Sequence, residues 1–438
     1  MQETTPRQRL AGVLILLGLI AQIIGFTGLV ATAHAVSYLL WASVALLWRD
    51  IPKRSRIQAG ALMAIGTLML LVARFVYGAK VDWPAMLQGN TFVVAMLVGV
   101  SFIGLIGSRR GHEPAPGRKL TGAGGILRTW LGVHFLGIIL NLSTVFMVGD
   151  RLARREPLKM PQLLALNRGL SSAALWSPFF ASMGVVITLA PEMQYPHILS
   201  IGLPLALLSG LITTFEMKQR FELNDVEGFS LAPTSLLMPA GMAALVMVFH
   251  FWITPSLTIV SIITFLLPSV AVLVNLRDGP LWTLRRIRRH TTTRLPAMRG
   301  EISLFLAAGL LTLGLSTFVR AVAGSEWTLF AVFGTPQAIF SFAAIVASAL
   351  IGLHPIIGVS VLASVLTLEA GSQTLFAFVA LASWAVGTSV GPLSGINLSL
   401  QGRYGVSGYR MMTNNAYYAL IMSGLSIVAI ILMGWWQG

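Results

Sequence analysis

Residues 120–149 read LTGAGGILRTWLGVHFLGIILNLSTVFMVG, an apolar stretch bounded by Arg109, Arg110, Arg118 and Lys119 on one side and by Arg151, Arg154, Arg155 and Lys159 on the other. About 20 apolar residues suffice to cross a bilayer as a helix, and the run is longer than that. A crossing would leave one basic cluster on the wrong face, because Lys and Arg collect in cytoplasmic loops. Entry and exit by the same face removes the conflict. Two arms of roughly 12 to 16 residues, at 1.5 Å per residue, reach about the middle of the membrane. The stretch therefore reads as a re-entrant hairpin from the cytoplasmic side. Irregular backbone at that depth is tolerated only inside protein or beside water, so its tip reads as part of a site.

Composition agrees with that reading. Of 438 residues, 55% are apolar and 10% are charged, which excludes a soluble globule. The formal charge of +15, from 30 Lys and Arg against 15 Asp and Glu, points on such a background to cytoplasmic loops rather than to nucleic acid. The absence of cysteine excludes disulfides, thiolate catalysis and Cys-ligated metals. Arg7 and Arg9 precede an apolar run that leads to Ala33-His34-Ala35, in the outline of a signal peptide. The run exceeds the usual core of roughly 7 to 15 residues and apolar sequence resumes at once, so it reads as a first span.

Apolar runs predict spans at roughly 10–32, 35–48, 57–78, 86–107, 163–190, 197–216, 231–250, 256–276, 301–322, 374–400 and 415–436. The fold class is thus an all-α polytopic membrane protein with about eleven transmembrane helices and re-entrant hairpins. Segment 327–368 is the second hairpin, entering from outside, since Glu369 to Gln373 beyond it carries no Lys or Arg. With a cytoplasmic amino terminus and an external carboxyl terminus, only Arg74, Lys80 and Arg320 lie away from cytoplasmic loops, if Arg128 is counted with the inner arm of the first hairpin. The predicted location is the inner or plasma membrane.

Both hairpins carry a Gly-x-His tripeptide, Gly132-Val133-His134 and Gly352-Leu353-His354, and a proline-broken apolar segment follows each. The first break is Trp176-Ser177-Pro178; the second is Gly387-Thr388-Ser389-Val390-Gly391-Pro392-Leu393-Ser394-Gly395-Ile396-Asn397. The order span, hairpin, broken helix, span therefore occurs twice, in opposite orientations. Inverted repeats with interrupted helices in matching positions point to the binding site of a secondary transporter. The organisation that results is N-terminal scaffold helices at 1–85, repeat 1 at 86–216, linking helices with a basic cytoplasmic loop at 217–300, and repeat 2 at 301–438.

This layout resembles the ion transporter superfamily, in particular the divalent anion:sodium symporters of the dicarboxylate type. Where that family carries a Ser-Asn-Thr hairpin tip, this chain has Gly132-Val133-His134 and Gly352-Leu353-His354, and the broken-helix signature is matched loosely by Trp176-Ser177-Pro178 and Gly391-Pro392-Leu393-Ser394-Gly395. The resemblance implies a homodimer with rigid scaffold domains and a transport domain that moves like an elevator.

The candidate binding residues follow from the chemistry of interrupted helices. Breaks expose amides that attract anions and carbonyls that attract cations. Gly132, Gly352, Gly387 and Gly391 permit close backbone approach, while Ser177, Thr388, Ser389, Ser394 and Asn397, beside Pro178 and Pro392, add small ligating groups. Asn141, Ser143 and Thr144 are a second choice for the first tip. The competing reading of all these residues is close helix packing. His134 and His354 could carry a coupling proton or donate to a carboxylate. Every Asp and Glu, including Asp150, Glu216, Glu301 and Glu369, maps to a loop or span end, so coupling would use histidine or a sodium ion held by carbonyls and hydroxyls. Arg168 reads either as a partner for an anionic substrate or as an interfacial, snorkelling side chain; Arg320 is treated alike. Basic segment 285–299 reads as an orientation signal that touches anionic lipid.

The expected function is a secondary transporter of a small anionic solute, coupled to sodium or protons, with no catalytic residues, no resident metal and no cofactor beyond a coupling sodium ion. Membrane lipids and a small-molecule anion are the expected partners. The alternatives are a membrane-embedded enzyme of lipid-linked glycan assembly, or an exporter or antiporter on the same scaffold. External loops of about ten residues without Arg or His clusters weigh against the enzyme.

Overall fold

The computed structural model describes residues 4–108, 120–154, 156–229, 237–324 and 326–437. Arg109, Arg110, Arg118, Lys119 and Arg155, used above to orient the first hairpin, lie outside them.

The architecture is helical; among the described residues the only β pairing is an isolated bridge between Thr121 and Glu227. A capping box between Thr5 and Gln8, with Pro6 in the first turn, starts α1 (Pro6–Gly25). α2 (Ala33–Leu47), α3 (Lys53–Phe75) and α4 (Thr91–Ser101) follow. The first hairpin is α5 (Gly122–Leu140) and α6 (Ser143–Leu152); α7 (Met160–Ala173) and α8 (Ala181–Leu189) form the first broken helix, and α9 (Tyr195–Arg220) follows. The linking region holds α10 (Leu237–Val248), α11 (Ile259–Leu276), α12 (Pro280–Arg289), the single turn α13 (Leu295–Ala297) and α14 (Arg299–Ala323). The second hairpin is α15 (Thr335–Leu350) and α16 (Pro355–Ser364), the second broken helix α17 (Ala370–Val390) and α18 (Gly395–Tyr404), and α19 (Gly408–Gln437) ends the chain.

Nine helical segments among the described residues are long and apolar enough to cross a membrane. Large apolar side chains stand exposed along them, such as Leu68 on α3, Phe215 on α9 and Leu420 on α19, a pattern suited to lipid and not to water. This is the construction of a polytopic membrane protein.

The helices sort into two compact units. The first holds α1 to α4 and α11 to α14. Its helices meet through glycine: a Cβ on Gly66 of α3 would lie 2.8 Å from the Leu310 carbonyl of α14, and one on Gly314 would strike the Gly66 carbonyl. Small residues at such crossings let backbones approach closely, the usual device for helix association in lipid. The second unit holds α5 to α9, α15 and α17 to α19. At its centre α17 is buried at every position from Gln373 to Val390, and α7 at every position from Pro161 to Ala173. A membrane helix ordinarily keeps one face for lipid. The first halves of both broken helices keep none.

Three sequence expectations change here. The basic segment 285–299 is helical rather than a loop, because Pro280 at the first helical position and Gly279 at φ 105° start α12, and a π-turn at His290–Arg294 leads into α13. The first hairpin turns at Asn141, whose φ is +50°, and not at Gly132-Val133-His134, which continue α5 unbroken. Its first arm consequently has 19 residues, longer than expected. Finally, α9 runs a turn past the predicted end at 216, which carries Glu216 inside the unit, where it is 2% exposed.

Candidate functional site

Four interruptions in the second unit pair up. In the first pair, the turn after α5 meets the break after α7: Asn141 donates its side-chain amide to the Phe179 carbonyl at 3.2 Å, and the Ser177 hydroxyl donates to the Ile138 carbonyl at 3.0 Å. In the second pair, the turn after α15 meets the break after α17. Gly352, at φ 101°, faces Leu393, whose Cδ1 would lie 2.8 Å from a Cβ at that position. Gly387 lies against Ala349 and Pro355, and Gly391 against the Ala349 carbonyl. Any side chain there would push the hairpin off the break. α6, α8, α16 and α18 all begin at these interruptions, so four helix amino ends, each with a partial positive charge, sit at the two pairs.

Asparagines tie α7 to the second break. The Asn167 amide on α7 donates to Asn397 Oδ1 on α18 at 2.7 Å and to the Ser389 carbonyl at 3.3 Å. Asn397 in turn donates to the Ser389 and Gly391 carbonyls at 3.2 and 2.9 Å, and Asn415 of α19 donates to Ser389 at 3.0 Å. The carbonyl end of α17 is thus capped by three side-chain amides, which satisfy the groups that a helix end leaves without partners. Ser394 caps α18 by accepting from the backbone N–H of Asn397. The Thr388 and Ser389 hydroxyls bond back to their own helix, at the Trp384 and Val386 carbonyls, so at Ser389 it is the carbonyl that the network uses. Pro392 blocks continuation of the helix, and its carbonyl packs on Gly408.

Three buried oxygens have no hydrogen-bond partner among the described residues: Thr144 Oγ1 on α6, just after the first hairpin turn, and Asn167 Oδ1 and Ser171 Oγ one turn apart on α7, where Asn167 reaches the second break. Ser143 starts α6 next to Thr144.

Arg168 departs from both sequence readings. It neither snorkels nor waits for substrate. It is fully buried, with Glu216 Oε2 at 2.7 Å from Nη1, Asn415 Oδ1 at 2.8 Å from Nε, and the Tyr418 ring centroid 4.3 Å from the guanidinium carbon. Arg220 also pairs with Glu216, one helical turn away on α9. A buried charge persists only with such partners.

The two histidines differ in position and in role. His134 lies two turns before the first tip, stacked on Trp130 at 4.6 Å between ring centroids. The Trp176 indole can only donate, so Nε2 of His134 accepts from it at 3.2 Å, while Nδ1 carries the proton and donates to the Ser172 hydroxyl at 2.9 Å and the Gly169 carbonyl at 3.2 Å. Gly132 lies against the Phe229 ring rather than near the tip. His354 does sit at its turn, where Nδ1 accepts the Ile356 amide at 3.2 Å and caps α16, and the ring stands edge-on to Trp384. The Gly-x-His tripeptides therefore do not occupy equivalent places. Asn141, Ser143, Thr144, Ser177, Pro178, Gly352, His354, Thr388, Ser389, Gly391, Pro392, Ser394 and Asn397 all fall at turns or breaks or within a turn of helix beside them. Sequence reasoning passed over Asn167, Asn415 and the Arg168–Glu216 pair; the signal was an amide or charge placed inside an apolar run.

A separate polar cavity of about 410 Å³ lies at the foot of the first hairpin, bounded by Thr121, Glu156, Lys159, Gln162 and Asp225. There the Lys159 ammonium donates to the Asp225 carbonyl at 3.1 Å.

No protein-family model matches the chain, and no curated protein matches it in sequence. Among solved structures, its fold is similar to that of the YdaH transporter of Alcanivorax borkumensis, whose crystal structure is described as revealing an unusual topology. The TM-score is 0.52 and the identity 14%, over 86% of this chain and 98% of the other. The chain thus shares its fold with a membrane transporter and is an integral, multi-pass membrane protein.

Proposed function

We propose that the protein is a secondary active transporter of a small anionic solute, such as a carboxylate, driven by a sodium gradient. The observation that carries this reading is the pairing of each enclosed broken helix with a hairpin turn, tied together by the Asn167–Asn397 hydrogen bond. Helix amino ends at the breaks suit an anion. The buried, unpartnered oxygens of Thr144, Asn167 and Ser171 are uncharged and suit sodium. Proton coupling through His134 is disfavoured, because protonating its Nε2 would set two donors against each other at Trp176. The likeness in fold to a transporter supports the class and disfavours an enzyme.

In this reading the chain belongs with the ion transporter superfamily and works as a homodimer with its amino terminus in the cytoplasm and its carboxyl terminus outside. The first hairpin enters from inside and the second from outside, and the unit that holds the breaks carries the solute in an elevator-type cycle. The test is uptake by proteoliposomes across a panel of organic and inorganic anions, with sodium or proton gradients imposed in either direction. Sodium-driven accumulation of one anion, abolished by Asn397→Ala, is the expected result. Flux driven only by an outward proton gradient would instead favour the exporter.

A further inference from the structure

The chain between α11 and α14 makes a short helix apart from the hairpin turns and helix breaks. α12 has ten residues, and its two long stripes are opposite in character. Thr283 and His290 are buried, and Arg286 faces the same way, bonded to Asn275 and Asp278. Leu281, Leu284, Arg285 and Arg288 recur at i, i+3, i+4 and i+7 on the other stripe and are all exposed, with Trp282 and Arg289 on its shoulder. Leu281 is 72% exposed, Leu284 62% and Trp282 57%.

Water is a poor partner for two leucines and a tryptophan, and the hydrocarbon interior is a poor partner for two arginines. The boundary between them serves both, because apolar side chains reach the acyl layer while guanidinium groups stay among the headgroups. Position agrees. Only three residues separate the end of α11 at Leu276 from the start of α12 at Pro280, so the helix begins at the end of a span. Between residues 277 and 299 there are seven arginines and one acidic residue, Asp278. Arg286, Arg288 and Arg289 also crowd the carboxyl end of the helix, which favours cations.

We propose that α12 lies in the plane of the membrane surface and binds anionic phospholipid, with Leu281, Trp282 and Leu284 seated in the acyl layer and Arg285 and Arg288 holding lipid phosphates. Phosphate oxygens match the guanidinium fork, and a zwitterionic surface offers no net charge to hold the cluster.

The natural absence of cysteine makes a direct test possible. The full chain carrying Leu284→Cys, labelled with an environment-sensitive fluorophore, is held in neutral-detergent micelles and titrated with phosphatidylglycerol or with phosphatidylcholine. The expected result is a blue shift that saturates with phosphatidylglycerol and is absent with phosphatidylcholine. Each of Arg285→Gln and Arg288→Gln should raise the half-saturating lipid fraction about fivefold. These side chains are exposed, so single variants keep the fold; a thermal transition equal to that of the parent verifies it. Equal responses to both lipids, or a phosphatidylglycerol response that survives both substitutions, would overturn the proposal. So would the same shift produced by inorganic phosphate alone, or one that follows protein concentration and assigns the stripe to a second copy of the chain.

Discussion

Asn167 and Asn397 stand 230 positions apart in the chain, and a 2.7 Å hydrogen bond between their side chains joins the first broken helix to the second. Both are fully buried, and both also donate to the Ser389 carbonyl. Removing either amide strips a donor from that carbonyl, at a cost of about 1 to 3 kcal/mol for a buried group left short of a partner. Asn167→Ala and Asn397→Ala should each lower the thermal transition of the detergent-solubilised protein, and the double variant should lose less than the sum. Strict additivity in that cycle would mean the two amides act independently.

The Arg168–Glu216 pair should respond asymmetrically. Glu216→Leu leaves Arg168 as a buried cation without its carboxylate, a change that typically costs about 3 to 5 kcal/mol. Arg168→Met leaves Glu216 still paired with Arg220, so it should cost clearly less. The combined Arg168→Met/Glu216→Leu variant should recover much of the loss of Glu216→Leu alone. Chemical or thermal unfolding of the three variants decides the order, and equal losses for both single variants would contradict it.

The path of the first hairpin can be mapped with added thiols. Thr121 and Lys159 flank the hairpin and are exposed. If the segment enters and leaves by the cytoplasmic face, Thr121→Cys and Lys159→Cys should both label from that side and not from the other. Labelling from opposite faces would make α5, with its 19 residues, a full crossing.

His290 offers a pH test of stability outside the spans. Burial, with Arg294 adding to it, pushes its imidazole down to about 4. An unfolded chain titrates near 6.5, so it takes up this proton first as the pH falls. The contribution of neutral His290 is complete above about pH 6.5, declines between there and about pH 4, and amounts to roughly 3 kcal/mol over that window. His290→Gln should flatten the decline in thermal stability across it. An unchanged profile would place the acid sensitivity elsewhere.

The many spans were readable from apolar runs, since lipid imposes a minimum helix length. The two breaks were legible for a local reason: Pro178 and Pro392 cannot continue a helix. The first hairpin turn was misplaced because glycine permits a turn without requiring one, and Gly132 serves instead to admit the Phe229 ring. Asn141, which does turn the chain, donates its side-chain amide both to the nearby Ile139 carbonyl and to the Phe179 carbonyl that folding brings close. Arg168 and Glu216 looked interfacial because each lies near a span end. A sequence position reports depth along a helix but not which neighbour covers that depth, so their meeting was invisible until α7 and α9 were placed together.

The complete enclosure of α17 from Gln373 to Val390 has a dynamic counterpart. Its amide hydrogens can reach solvent only when surrounding helices part, so they should be the last in the second unit to exchange for deuterium. That gives the molecule an internal clock: the interval before α17 begins to exchange measures how rarely the helices around the breaks separate, and a ligand that settles between them would lengthen it.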